Sequence, residues 1–220
     1  MKKFLLAAAF AALSVMGVSA QDYLLNNPSN RAYFGIRVGG EVTCPGKFKA
    51  NGESVKVFKN GGGFEAGAIY NVPVVANFYV EPGLKLYYNA YGLDDFVTDQ
   101  EDLVDGSVRK FGMRVPVMLG YHFDFTPEWK VYVFTGPELE VGFTADAHEK
   151  VNGKSHSDSL YGDEAIYNRV DCLWGFGAGV SYQKFYFGVS GSVGMCNMLK
   201  DADPVKFHEN RATFTLGYNF

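Results

Sequence analysis

Residues 211–220 read Arg-Ala-Thr-Phe-Thr-Leu-Gly-Tyr-Asn-Phe. Ala212, Phe214, Leu216, Tyr218 and Phe220 fall on one side of an extended chain; Arg211, Thr213, Thr215, Gly217 and Asn219 fall on the other. Alternation at period two marks a strand with one apolar and one polar face. In water, an apolar strand at a sheet edge invites aggregation. The pattern makes sense for a strand that closes a barrel and turns its apolar side to lipid.

The rest of the chain agrees with that reading. Aromatics at 16% and 26 Gly in 220 residues favour strands and turns over helices, and the size suits one domain. A net charge of −4 is too mild to point to nucleic acid. At the start, Met1-Lys2-Lys3 is basic, residues 4–18 are apolar and Val18-Ser19-Ala20 is a small-residue cleavage site. This predicts a signal peptide over 1–20 and a mature domain over 21–220. No later run is long and apolar enough for a spanning helix, so any membrane crossing is by strands.

Seven further stretches alternate like the last: about 31–41, 63–71, 78–89, 108–123, 129–144, 166–182 and 185–196. In the third, Phe78, Val80, Pro82, Leu84, Leu86 and Tyr88 oppose Tyr79, Glu81, Gly83, Lys85, Tyr87 and Asn89. Long polar connections (42–62, 90–107, 145–165, 197–210) alternate with short ones (72–77, 124–128, 183–184). An even strand count with short turns at one end and long loops at the other predicts an all-β, eight-stranded antiparallel up-and-down transmembrane barrel, its termini and short turns periplasmic. The polar row carries most of the glycines, which suit a narrow interior. The bulky row places Tyr70, Tyr88, Tyr121, Trp129, Tyr182 and Tyr218 near strand ends, as interfacial girdles.

The sequence resembles the small eight-stranded outer-membrane β-barrel family of the OmpA-like and OmpX-like kind, often called porin family proteins. The resemblance covers the whole mature chain. It rests on the ordered set of residues 78–84 (Phe-Tyr-Val-Glu-Pro-Gly-Leu), 115–121 (Val-Pro-Val-Met-Leu-Gly-Tyr), 132–137 (Tyr-Val-Phe-Thr-Gly-Pro), Asp171 with 175–179, and 214–220. It implies residence in the Gram-negative outer membrane among its lipids, with periplasmic chaperones and the barrel-assembly machinery as partners in biogenesis. That machinery would read the last strand through Phe214, Leu216, Tyr218 and Phe220. The sequence stops at Phe220, so a wall-binding domain of the OmpA kind is not expected.

The inward row holds Arg37, Lys85, Lys110, Arg114, Lys130, Arg169 and Arg211 with Glu41, Glu65, Glu81, Glu138, Glu140 and Asp171. Buried charges must be paired or solvated. Two readings stay open: a salt-bridge plug that fills the lumen, and a narrow gated pore with a Glu–Arg switch. His148, His156 and His208, with Glu149, Ser155, Ser157 and Asp158, form no recognised catalytic motif, so no catalysis is expected; an enzyme acting on lipid or peptide is the remotest alternative. No cofactor or metal is expected either: no tight ligand spacing appears, and the acidic run Asp94, Asp95, Asp99, Glu101, Asp102 and Asp105 lacks the spacing of a calcium loop.

Of three cysteines, Cys172 faces lipid by parity and Cys196 the lumen, so these two are poorly aimed at each other. Cys44–Cys196 is the pairing left open, with the first long loop folded over the mouth. The expected role is structural or interactive, with an extracellular or host ligand bound through the long loops.

Overall fold

A computed structural model describes residues 31–50, 53–93, 103–151, 154–162, 167–200 and 204–220. The expected signal peptide, the polar lead after it and the acidic residues Asp94 to Asp102 lie outside these residues. The strands, in chain order, are β1 (Tyr33–Pro45), β2 (Phe48–Ala50), β3 (Glu53–Val55), β4 (Gly61–Val75), β5 (Phe78–Gly92), β6 (Leu103–Asp124), β7 (Trp129–Val151), β8 (Lys154–Ser159), β9 (Val170–Tyr182), β10 (Phe185–Gly194) and β11 (Glu209–Asn219). Eight of them, all but β2, β3 and β8, form a closed antiparallel barrel in the order β6-β5-β4-β1-β11-β10-β9-β7, with β6 pairing back onto β7. The closing strand pairs with β1 over its whole length, from Gly35↔Asn219 to Pro45↔Glu209. The wall thus closes without an open sheet edge, as strands in hydrocarbon require.

The alternation decides which face goes in. Val38, Phe64, Leu84, Leu119, Phe187, Phe214 and Leu216 all point outward and are exposed, while Arg37, Glu65, Arg114, Glu140 and Arg211 are buried. At the short-turn end the outward aromatics stack across strands: Phe78 on Tyr121, Trp129 on Tyr182 and Phe185 on Tyr218. At the other end Phe64 meets Tyr88, and Phe111 meets Phe143. Two aromatic belts therefore bound the apolar band. Two open grooves of about 860 and 740 Å³ are on this apolar outer face, where acyl chains would lie.

Inward glycines are covered by rings. A Cβ at Gly120 would collide with the Tyr79 ring, and the Tyr186 hydroxyl lies against both Gly179 and Gly188. Such aromatic cover compensates a strand glycine and pins the register. The two-residue turns at Ala76 and Gln183 hold these residues at φ of 48° and 53°.

The structure corrects several boundaries. Residues 42–45 and 90–92 belong to strands, and β6 and β7 run 22 and 23 residues. Since about 9–11 residues cross a membrane, both extend well beyond it. The β2–β3 hairpin and β8 lie inside stretches expected to be loops. β8, Lys-Ser-His-Ser-Asp-Ser, has no apolar face, so hydrophobic periodicity is silent there; pairing with β7 makes it a strand. Residues 167–169 are not strand. Asn168 instead donates its N–H to Met198 O (2.8 Å) and its Nδ2 to Leu199 O (3.0 Å), tying the start of β9 to the segment 195–208.

Candidate functional site: the lumen and its cap

Three layers fill the barrel from the long-loop end. The first is an apolar cap. Phe58, Tyr91, Val108, Ala145, Tyr161, Tyr167, Met198, Leu199 and Phe207 form one buried cluster. Phe48 of the β2–β3 hairpin stacks on Phe207 at 4.6 Å between ring centroids. Loops that read as polar in sequence therefore fold inward on scattered aromatics. Beneath Phe48 and Phe58 remains a hollow of about 220 Å³, reached also by Ser107, His148 and Tyr167.

Below the cap lies the charge cluster. Arg114, fully buried, is its centre. Its guanidinium donates to both Glu41 oxygens (2.5 and 3.1 Å), to Glu65 (3.1 Å) and to Glu140 (2.9 Å), and stacks 3.9 Å from the Tyr87 ring. Lys110 Nζ reaches Glu140 (3.3 Å) and Glu209 (3.2 Å). Arg211 binds Glu140 at 2.7 Å and pairs with Glu138. Lys85 closes on Glu65 at 2.6 Å. Each ion was stripped of water to enter, so multiple charge-assisted bonds are needed to repay the desolvation. The planar fork of Arg114 supplies them bidentately, as a lysine would not.

The third layer is aromatic. Tyr79, Tyr132 and Tyr186 form a buried cluster. Tyr132 meets Tyr79 and Tyr186 edge-on at 5.8 and 5.9 Å, with His122 6.0 Å from Tyr132. Arg37 lies 4.2 Å over the Tyr186 ring. Between this layer and the charge cluster is a chamber of only about 40 Å³, lined by Arg37, Glu81, Lys85, Glu138 and Tyr186 among others. That is room for a few water molecules.

The family model of the outer membrane protein beta-barrel domain matches residues 19–200. The chain belongs to this family. It is an integral protein of the Gram-negative outer membrane. No curated protein matches its sequence. Among solved structures it is similar to Ail, the attachment invasion locus protein of Yersinia pestis, solved with the heparin analogue sucrose octasulfate (16% identity, 86% of this chain and 99% of that one, TM-score 0.46). It is also similar to neisserial surface protein A (13%, 86% and 99%, 0.44) and to the outer membrane enzyme PagL (10%, 83% and 98%, 0.44). At these identities they add nothing beyond the fold.

As an outer-membrane barrel, the protein has its long-loop cap outside the cell and its short turns in the periplasm. The residues expected in the lumen sort accordingly. Lys85, Lys110, Arg114, Arg211, Glu41, Glu65, Glu138 and Glu140 meet in the external half. Arg37 and Glu81 face the chamber below, where Asn71 Nδ2 donates to Glu81 at 3.0 Å. Lys130 sits apart at the periplasmic mouth, 3.3 Å from Asp124. Asp171 is buried opposite Glu140 and accepts the Cys172 N–H at 2.8 Å. Arg169 is a correction: strand pairing has not yet begun there, and its exposed guanidinium donates to Phe143 O (3.3 Å) and lies 5.2 Å from the Tyr161 ring.

Sequence reading missed Glu209, which it left in a loop. The parity that placed Arg211 inward continues two residues back and would have found it. The cysteine geometry is a second correction. Cys196 lies beyond the last residue of β10, so strand alternation does not aim it, and the Met195 N–H bond to Cys172 O (2.8 Å) sets it next to Cys172.

The side chains of Glu149, Ser155 and His156 lie outside those described. Among the described residues, no hydroxyl or thiol is hydrogen bonded to His148 or His208, and no three His, Cys, Asp or Glu side chains converge as a metal site.

Proposed function

We propose that this barrel acts as a closed membrane scaffold whose external cap binds a partner outside the cell. The observation that carries this reading is the double closure of the lumen, by the Arg114 cluster and by the Tyr79–Tyr132–Tyr186 layer. A passage so filled leaves the external surface as the working face. Lys47, Lys49 and Lys206 are exposed on that face, on a chain whose net charge is −4. Lys49 and Lys206 are held directly opposite each other by two backbone hydrogen bonds of 3.0 and 2.9 Å. Like charges in direct opposition are destabilising, and an anionic group between them would remove that cost. The partner class favoured is therefore a polyanion.

Two experiments test the reading. Single-channel recording of the refolded mature chain, beside Arg114→Ala, is expected to give an electrically silent wild type. Steady openings whose conductance changes in the variant would put the pore reading ahead. Cells displaying the barrel are expected to be retained on an immobilised sulfated polysaccharide, with retention falling as salt rises and lost in Lys49→Glu/Lys206→Glu. Equal retention of both proteins would remove the polyanion. Catalysis forms no part of the proposal: among the described residues no nucleophile–base couple is seen. For biogenesis we propose that the outward row Phe214, Leu216, Tyr218 and Phe220 is the segment read by the assembly machinery, after export by the signal peptide.

A further inference from the structure

Cys172 stands two residues into β9, at its external end, and Cys196 two residues past the external end of β10. The β9–β10 ladder is regular up to Gly194↔Leu173, and Met195 donates its N–H to Cys172 O at 2.8 Å, carrying the register one pair further. Cys196 is the next residue after that bond, so the ladder delivers it to the rim beside Cys172. Both thiols are free and partly accessible. The pair is also held from its other side. Asn168 N–H donates to Met198 O, Asn168 Nδ2 reaches Asn197 O (3.2 Å) and Leu199 O (3.0 Å), and Tyr167 bridges to Leu199. The residues flanking Cys172 and Cys196 are thus fixed to one another by hydrogen bonds that do not involve sulfur.

Cys44 lies elsewhere on the same rim. It sits opposite Asn210 on β11, so β11 stands between it and β10, which leads into Cys196, and both β11 and β10 stand between it and Cys172. Two strand spacings are about 10 Å and three about 14 Å, both beyond the Cα separation of about 7 Å within which two cysteines can be joined without backbone movement.

We infer that Cys172 and Cys196 are the site of a disulfide that staples residues 195–200 to the external rim, leaving Cys44 as a free thiol. These residues carry Met198 and Leu199 into the apolar cap, so the link would fasten that part of the cap over the charge cluster. The chemistry is thiol–disulfide exchange. One thiolate attacks the disulfide of an envelope thiol–disulfide oxidoreductase, and the second displaces the mixed disulfide. The S–S bond forms as two S–H bonds are lost, and the two electrons and two protons end on the oxidoreductase as its dithiol. The outer membrane lies in a compartment where such links form and persist.

The test uses the full chain in outer membranes of an expressing Gram-negative host. Free thiols are blocked with N-ethylmaleimide under denaturing conditions, and the protein is digested without reduction for mass spectrometry. The expected result is a peptide pair joined through Cys172 and Cys196, two hydrogens lighter than the reduced pair, with a single maleimide adduct per chain on Cys44. Cys44→Ser should keep the link, and Cys172→Ser should leave two adducts, on Cys44 and Cys196. Three adducts on the wild-type chain, or a linked peptide containing Cys44, would overturn the assignment. The wild-type map decides this even if a variant does not fold.

Discussion

The two halves of the lumen are closed by opposite means. In the external half, four cations and five carboxylates form a connected cluster around Arg114. In the periplasmic half, Tyr79, Tyr132 and Tyr186 fill the same cross-section with rings. The ionic closure ties strands across the barrel: Arg114 of β6 reaches β1 through Glu41, β4 through Glu65 and β7 through Glu140. Its strength depends on every member being present, because a lost partner leaves buried charge uncompensated. The aromatic closure is contact by contact, with Tyr79 set against Gly120 of β6 and Tyr186 against Gly179 of β9. It should weaken gradually where the ionic one fails abruptly.

The largest expected effect is therefore at Arg114. Arg114→Met keeps volume but strips Glu41, Glu65 and Glu140 of their shared cation, and should cost about 3–5 kcal/mol. A urea titration of the barrel in lipid vesicles, read by the gel shift between folded and unfolded forms, measures it. A cost below about 1 kcal/mol would mean the cluster is water-filled, and the contrast with the aromatic half would collapse. Glu140→Gln should cost less, about 2 kcal/mol. Lys110, Arg114 and Arg211 each keep another carboxylate, in Glu209, Glu41 and Glu138.

The aromatic half gives a smaller, coupled effect. Gly120→Ala puts a methyl into the Tyr79 ring, which must shift, at about 1–3 kcal/mol. In a Tyr79→Ala background the same substitution should be nearly free, so the double-mutant cycle reports the ring–glycine contact directly. Additive costs would mean that Tyr79 is not what Gly120 accommodates.

The barrel wall was legible in the sequence because the wall is what period-two alternation encodes. Residues 211–220 give the facing of ten residues at once, and a lipid-facing row leaves no ambiguity once the face is chosen. The charge cluster was half legible. Parity put Arg114, Glu140 and Arg211 on the inner face, but which acid meets which base depends on barrel stagger, which no local pattern carries. Arg169 shows the limit from the other side. Its parity is right, yet Asn168 has bound the 197–199 segment, and the strand has not started. The cap was not legible at all. Phe48, Phe58 and Phe207 are isolated aromatics in polar stretches, and only the closure of the barrel brings them together.

The smallest effect lies outside both closures and sets a baseline for them. Gln183 holds φ at 53° in the tight turn between β9 and β10, its N–H donating to Glu128 O at 2.7 Å. A left-handed conformation costs a residue with a Cβ about 1–2 kcal/mol. Glycine escapes that cost but gives up about 0.5–1 kcal/mol in chain entropy on folding. Gln183→Gly should therefore stabilise by at most about 1 kcal/mol in the same urea titration. Asparagine tolerates the conformation without the extra chain freedom, so Gln183→Asn should match or exceed it. Since neither substitution touches a lumen side chain, both should shift stability without changing the Gly120–Tyr79 coupling or the electrical silence of the barrel. A change in either would mean that the short turn transmits to the aromatic layer through Tyr186, three residues on, and the two closures would then have to be treated as one mechanical unit.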